Sequence, residues 1–346
     1  MIDQLIKKSL RNFKPYKSAR SIYKSGGNGI KNRIFLDANE NPFDTGFNRY
    51  PSPDYIGLRL ALGNYASVPA ENVFVGNGSD EALSLICRLV LEPGKKAIGF
   101  TPSYGMYPVE TALNGAKFIE IPLKEDPKDG NFGIDEKRLY KAITPAVKII
   151  FICSPNNPTG NIFPCDQILK LCKKFKGLVI VDEAYIEFSS TKSMANEVFE
   201  YPNLIVLRTL SKAWGLAGAR VGYAIADSKI IGYLNAIKLP YNLSSVSEKI
   251  ALDALCNKKK MTAFVKKILI QKEILKKRLP KLGLYVYPSE TNFLFIRYKN
   301  SEELVSRLAQ NTGIIIRAFP QGFRVTVGKP EENEYLIKSL TKFLGK

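Results

Sequence analysis

The residues of this chain that could do chemistry fall into four short polar clusters, each following an apolar run. Gly76-Asn77-Gly78-Ser79-Asp80-Glu81 comes after Val73–Val75 and opens a segment with apolar residues at 82, 85, 86, 89 and 90, one buried helical face. Its glycines permit close backbone approach, and the free amides of a first helical turn suit a phosphate; an ordinary Ser/Asp helix cap would read the same. Ser154-Pro155-Asn156-Asn157-Pro158-Thr159-Gly160 follows a run ending at Cys153. Prolines fix that backbone and Asn157 can present its amide to a cleft, or the segment is a plain Pro/Asn/Gly turn. In Val181-Asp182-Glu183-Ala184-Tyr185, Asp182 comes after four apolar residues, so its carboxylate is expected to be partly buried. A buried carboxylate needs a cation, supplied by a ligand or by a structural Lys or Arg. The fourth cluster runs Thr209-Leu210-Ser211-Lys212 and, eight residues on among small side chains, reaches Arg220. Desolvation and neighbouring positive charge would lower the pKa of Lys212 toward working pH, although on its own the residue also fits a surface lysine after a strand.

Each cluster is modest alone; together they meet the needs of one cofactor. Pyridoxal phosphate (PLP) requires a lysine for a Schiff base, a carboxylate facing the pyridine nitrogen, donors to the ring oxygen and a cradle for the phosphate. The chain contains no histidine, which removes imidazole acid–base catalysis, His-based triads and His metal sites. Proton transfer near neutral pH is left to a tuned Lys, Tyr, Cys or carboxylate, or to a cofactor.

The elements that must position these clusters alternate in kind. Apolar runs at Val73–Val75, Ala97–Phe100, Val147–Cys153, Leu178–Asp182, Leu204–Leu207 and Val221–Ala226 are too continuous for half-exposed antiparallel strands. Helical patterns such as Ala82–Leu91 and Cys165–Phe175 lie between several of them. This predicts an α/β fold, a largely parallel sheet flanked by helices, with ligands at the carboxyl ends of the strands, where the polar clusters fall. After Tyr241 the pattern changes to a long helical stretch from about 244 to 279, loosely broken near 256–260. Strand candidates at 284–287, 292–296, 314–317 and 323–327 follow, with helices near 302–310 and 331–344, reading as a smaller α+β domain. The expected division is an N-terminal arm with part of the small domain at 1–35, a large domain at 36–240 and the small domain at 241–346.

Composition narrows the setting. A chain of 346 residues, 45% hydrophobic, can bury a large core and suits one large and one smaller domain. No apolar run reaches the roughly 18 to 20 residues of a membrane span, and the first residues lack a signal-peptide stretch. Five scattered cysteines without a CxxC pair suit reduced thiols in the cytoplasm. The formal net charge is +19, but the lysines are spread over apparent helix faces rather than interleaved with aromatics. That argues for a solvated surface, with some pull on phosphorylated substrates, over a nucleic-acid binder.

The segments NPTG, DEAY and SKAWGLAGARVG resemble the fold-type I, aspartate-aminotransferase-like PLP enzymes. More narrowly, LDANENPF at 36–43, NRYP at 48–51, GNGSDE, TPSYGMY at 101–107, CSPNNPTG, VDEAYIEF, TLSKAWGLAGARVGY, RVTVGKPEEN and the FKPYKSAR arm at 13–20 resemble the histidinol-phosphate aminotransferase family, in that fold type's class II subfamily. The likeness runs from about residue 13 to 333. It implies a PLP-dependent homodimer that transfers an amino group from histidinol phosphate to 2-oxoglutarate in histidine biosynthesis. Lys212 would carry the cofactor and act as the base, with Asp182 at the ring nitrogen and Asn157 and Tyr185 at the ring oxygen. Tyr104 would stack on the ring; Arg220, Thr209, Ser211 and the Ser79–Asp80 amides would hold the phosphate. Tyr50 would reach the cofactor of the other subunit. Tyr16, Asn39, Arg317 and Arg324 would receive the substrate. The chain departs from the family pattern in the six residues between Arg317 and Arg324, which shorten a loop near the expected substrate site, in Lys329 where Thr is expected and in Trp214 where Phe is usual. Threonine-phosphate decarboxylases and broad aromatic aminotransferases share the same motifs and stand as alternatives. A PLP-fold regulator would need a DNA-binding extension, for which no helix-turn-helix-sized segment precedes the arm.

Overall fold

The computed structural model describes residues 2–16 and 34–345. Residues 17–20 of FKPYKSAR, and the rest of the expected arm up to 33, lie outside them. The apolar runs become strands: β1 Val73–Asn77, β2 Lys96–Thr101, β3 Lys117–Pro122, β4 Lys124–Glu125, β5 Phe132–Gly133, β6 Val147–Cys153, β7 Leu178–Asp182, β8 Leu204–Thr209 and β9 Val221–Ala226. Among the described residues, a seven-stranded sheet has the order β1-β9-β8-β7-β6-β2-β3. Its strands are parallel except β9, which runs antiparallel to both β1 and β8. Alternate residues enter opposite cores: Val179 and Val181 of β7 pack on one face, Leu178 and Ile180 on the other. With both faces covered, the central strands have no solvent side, which is why they read as continuous apolar runs. β3 was not among the expected strands. It lies at the sheet edge with Lys117, Glu120 and Pro122 exposed, so its apolar residues are diluted by polar ones.

β9 positions much of the site. Because it runs backwards, its first residues, not its last, lie at the rim formed by the carboxyl ends of β1 and β8. Val221 pairs with Asn77, and Gly222 with Thr209. The helix Ser79–Val90 begins directly over this point: a Cβ on Gly222 would lie 2.0 Å from the Ser79 nitrogen and 2.4 Å from the Gly78 carbonyl carbon.

The smaller domain is built from β10 Tyr285–Val286, β11 Phe293–Arg297, β12 Arg317–Phe319 and β13 Gly322–Thr326, antiparallel in the order β10-β11-β13-β12. Leu294, Phe323, Leu304 and Leu336 fill its core against the helices Ser301–Thr312 and Pro330–Leu344. The strand expected at 314–317 starts only at Arg317. Gly313 ends the preceding helix in a left-handed conformation, and Ile315 is exposed in the connection.

The boundary expected at 240/241 also differs from the packing. Ala251, Met261 and Val265 belong to the core of the large domain, whereas Leu275 and Leu279 belong to that of the small one. The helix Lys258–Arg278 therefore passes from one core into the other. At the chain start, Ile2 and Ile6 pack into the large domain, and the Lys7 amide donates to the Leu89 carbonyl at 2.9 Å.

Gly222→Ala is expected to cost about 3 kcal/mol, because its methyl would meet backbone that cannot yield. Gly218→Ala, with nothing within 4 Å of the added carbon, is expected to change stability by less than about 0.5 kcal/mol. Urea unfolding followed by fluorescence measures both.

Candidate active site

Ten of the predicted residues line one cavity at the carboxyl rim: Ser79, Asp80, Tyr104, Asn157, Asp182, Tyr185, Thr209, Ser211, Lys212 and Arg220. They arrive from the ends of β1, β2, β6, β7 and β8 and from the start of β9.

Asp182 ends β7 and faces the same side as Leu178 and Ile180. Its carboxylate is buried and accepts two hydrogen bonds, from the Tyr107 hydroxyl at 3.0 Å and from the Ala184 amide at 3.1 Å. Among the described residues neither donor is a cation. Burial pushes the carboxyl up to about 6, against the pull of those donors and of the Lys212 charge. Holding it there rather than at its ordinary 3.8 corresponds to roughly 3 kcal/mol of unfavourable charging. A cation brought against Asp182 would recover that cost, and the ring nitrogen of PLP is such a cation.

Lys212 opens toward the cavity, with its ammonium 5.8 Å from the centre of the Tyr185 ring. Its pKa is lowered, first by partial burial and then by Arg324, with Asp182 and Asp80 opposing. The Tyr185 phenol is raised by burial, so Tyr185 keeps its proton and can donate it in a hydrogen bond.

The anion side lies across the cavity. The helix Ser79–Val90 starts after Gly78, at φ +83°, and no side chain caps it, so the alternative of a Ser/Asp cap is not what forms. Arg220 sits in the left-handed region, at φ 53°, a costly conformation for a non-glycine residue that aims it at this helix start. Its Nη2 lies 3.3 Å from Asp80 Oδ2, and a side chain at Gly78 would collide with it at 2.7 Å. Tyr104 donates to the other Asp80 oxygen at 3.0 Å. Thr209 lines the cavity, but its hydroxyl donates to the Val221 carbonyl at 3.3 Å and accepts from the Ser211 amide at 3.1 Å. In this arrangement Thr209 shapes the turn, leaving Ser211 the freer hydroxyl.

The loop carrying Asn157 is stiffened by the residue before it. Asn156 is buried, donates to the Pro102 carbonyl at 3.0 Å and accepts from the Ser103 hydroxyl at 2.8 Å. Asn157 in turn accepts a hydrogen bond from Arg324. Arg317 and Arg324 are direct cross-strand partners on β12 and β13, joined by a turn in which Phe319 pairs with Gly322. The short connection thus sets the two guanidinium-bearing residues side by side. Arg324 rests over the Phe293 ring at 5.2 Å and Arg317 over Phe319 at 5.6 Å.

Five predicted residues do not line this cavity: Arg324 reaches Asn157 at its side with Arg317 as its cross-strand partner, and three more lie away from it. Tyr50 stacks on Tyr241, with ring centres 4.5 Å apart. Asn39 lines the same separate depression as Tyr50 and Tyr241. Tyr16 is exposed near the end of the described N-terminal segment. Sequence reasoning missed Tyr107 and Phe293. Tyr107 stands three residues after Tyr104, stacks on Phe151 at 4.8 Å and meets the Tyr104 ring edge-on at 5.5 Å. The second tyrosine of TPSYGMY was the available signal. Phe293 meets the Tyr185 ring edge-on at 5.1 Å and was read only as strand.

Residues 33–340 match the family model for aminotransferase class I and II, and the chain belongs to that family, whose cofactor is PLP. It is 40% identical to a histidinol-phosphate aminotransferase of Cytophaga hutchinsonii, covering 99% of each chain. To that of Parabacteroides distasonis it is 38% identical, covering 98% of each. Among solved structures, the histidinol-phosphate aminotransferase of Sinorhizobium meliloti in complex with pyridoxal-5'-phosphate matches with a TM-score of 0.80 at 25% identity, over 86% of this chain and 83% of the other.

The raised carboxyl of Asp182 predicts a pH dependence. Above about 6 it is charged and can pair with a cationic ring nitrogen; below that it is neutral. Affinity of the apoprotein for PLP is therefore expected to fall as the pH drops through 6. The PLP phosphate titrates in the same range, so the Asp182 contribution is read as the difference between the parent and Asp182→Asn. Equal pH profiles for the two proteins would remove this role.

Proposed function

We propose that the protein transfers the amino group of histidinol phosphate to 2-oxoglutarate, giving imidazole acetol phosphate and glutamate, in histidine biosynthesis. The observation that carries the choice of substrate is the paired Arg317 and Arg324, set beside Asn157 at the side of the cavity that holds Lys212. Like charges directly opposite on neighbouring strands repel, and an anion between them relieves this. One donor brings a phosphate and the other a carboxylate, and arginine's planar fork accepts either.

The residues divide the work. Lys212 would hold the cofactor through Nζ, and its free amine would take the proton from the substrate Cα, a task its lowered pKa suits. Asp182 keeps the ring nitrogen protonated, and Tyr107 and the Ala184 amide keep Asp182 oriented. Asn157 and Tyr185 donate to the ring oxygen, and Tyr104 covers the ring face. Arg220, the Ser211 hydroxyl and the first amides of the helix Ser79–Val90 hold the phosphate. When bound, the cofactor supplies an electron-withdrawing ring that stabilises negative charge at the substrate carbon.

The working form we assign is a homodimer in the cytoplasm. Ile34, Leu36, Phe43 and Phe47 are each at least 70% exposed within one segment, an apolar surface that a second copy would cover. Asn39 and Tyr50 lie in or beside that segment, which supports their serving the site of the other subunit, as Tyr16 would from the arm. No helix of the described residues is long and apolar enough to cross a membrane, and the cysteines are unpaired.

Purified protein with PLP, histidinol phosphate and 2-oxoglutarate is expected to yield glutamate. No turnover of that pair alongside good turnover of tyrosine or phenylalanine would defeat the substrate assignment. Lys212→Ala is expected to lose about 10³-fold or more in kcat, together with the borohydride-sensitive visible absorbance of the holoenzyme. Sedimentation of the parent is expected to report a dimer.

A further inference from the structure

Lys272 lies on the exposed helix Lys258–Arg278, yet it is 4% exposed. No carboxylate lies within ion-pair distance of it among the described residues. Its ammonium instead donates to two backbone carbonyls, those of Ser289 and Thr291, each at 2.9 Å. Among the described residues its hydrogen-bond acceptors are these two carbonyls; burial lowers its pKa, and the nearby Glu290 charge opposes this only in part, so the chain keeps a costly arrangement.

This lysine holds a junction. Ser289 and Thr291 are buried and tied to each other and to the Phe293 carbonyl through their hydroxyls. Between them, the Glu290 amide donates to the Gly160 carbonyl at 2.7 Å, and the Glu290 carboxylate accepts from the Ser190 amide at 2.7 Å. Gly160 closes the loop that carries Asn157, and Ser190 comes after the segment that carries Tyr185. Phe293, where the turn enters β11, touches the Tyr185 ring and lies beneath Arg324. Lys272 itself sits on the helix between the residues packed in the large core, up to Val265, and those packed in the small core, from Leu275.

We infer that Lys272 is a positioning residue. It pins the 289–291 turn to the helix that joins the two domains, and through that turn it sets the Asn157 loop and Tyr185 against the cofactor ring. The inference rests on the assignment of Asn157 and Tyr185 to the ring oxygen, and it needs no particular amine substrate.

The test uses the holoenzyme of Lys272→Met, which keeps the length of the side chain and removes the donors. Two quantities are read: the pH midpoint at which the visible band of the bound cofactor titrates, and the dissociation constant of PLP from the apoprotein. The expected result is a displaced midpoint and about tenfold weaker binding. Lys276→Met, at an exposed lysine one turn on that contacts Glu273, should behave as the parent. A lower melting temperature with both readings unchanged overturns the inference, since a purely structural strut would move only the former. Should Lys272→Met not fold, Ser289→Ala loosens the same turn without touching the lysine; parental readings there overturn it equally. Asn157→Ala separates this inference from the assignment beneath it. If that variant displaces the band and Lys272→Met does not, only the role of Lys272 fails; if neither does, the assignment of Asn157 fails.

Discussion

A carboxylate buried at the end of a central parallel strand, with only a phenol and a backbone amide as hydrogen-bond donors among the described residues, sets the terms for the rest of the structure. Asp182 is largely withdrawn from water where it lines the cavity, because both faces of the sheet are covered. Its neighbours make it a good acceptor without neutralising it. The side chains around it therefore define a place for a cation, with the Tyr104 ring lining the cavity and Tyr107 packed edge-on behind it.

The opposite end of the cavity is prepared for negative charge by backbone rather than by composition. Reversing β9 brings its first residues to the rim, so that Arg220 and the start of the helix Ser79–Val90 meet. Gly222 makes the close approach of helix and sheet possible, and the left-handed backbone of Arg220 is the strain that arrangement stores. The +19 charge of the chain contributes a general attraction for anions, but the placing of one guanidinium at one helix end gives the site its geometry.

Under the proposed function, recognition is divided between the two domains. Groups that suit the cofactor stand on the large sheet, while Arg317 and Arg324 stand on a hairpin of the small one. The connection between those arginines is short enough to make them cross-strand neighbours, so the departure from the family pattern places two cations side by side. The seating of one domain on the other then matters to chemistry. Arg324 touches Asn157 directly, and Phe293 carries the contact to Tyr185.

Much of this was legible in the chain. Continuous apolar runs announced buried strands, and the polar clusters after four of them announced a rim. The absence of histidine left proton transfer to a tuned Lys, Tyr, Cys or carboxylate, or to a cofactor. The placing of Asp182 after Leu178–Val181 is determined locally, because alternation along a strand fixes which face a residue takes. The edge strand β3, the partner of Asp182 in Tyr107, the crossing of the helix Lys258–Arg278 between two cores and the burial of Lys272 were not legible. Each depends on a contact between residues far apart in sequence, and no local pattern encodes such a contact. The sequence alone determined which chemical groups the protein would use. The tertiary structure decided which of them meet within one chain, because strand order, the reversal of β9 and the packing of the small domain fix distances that spacing along the chain does not.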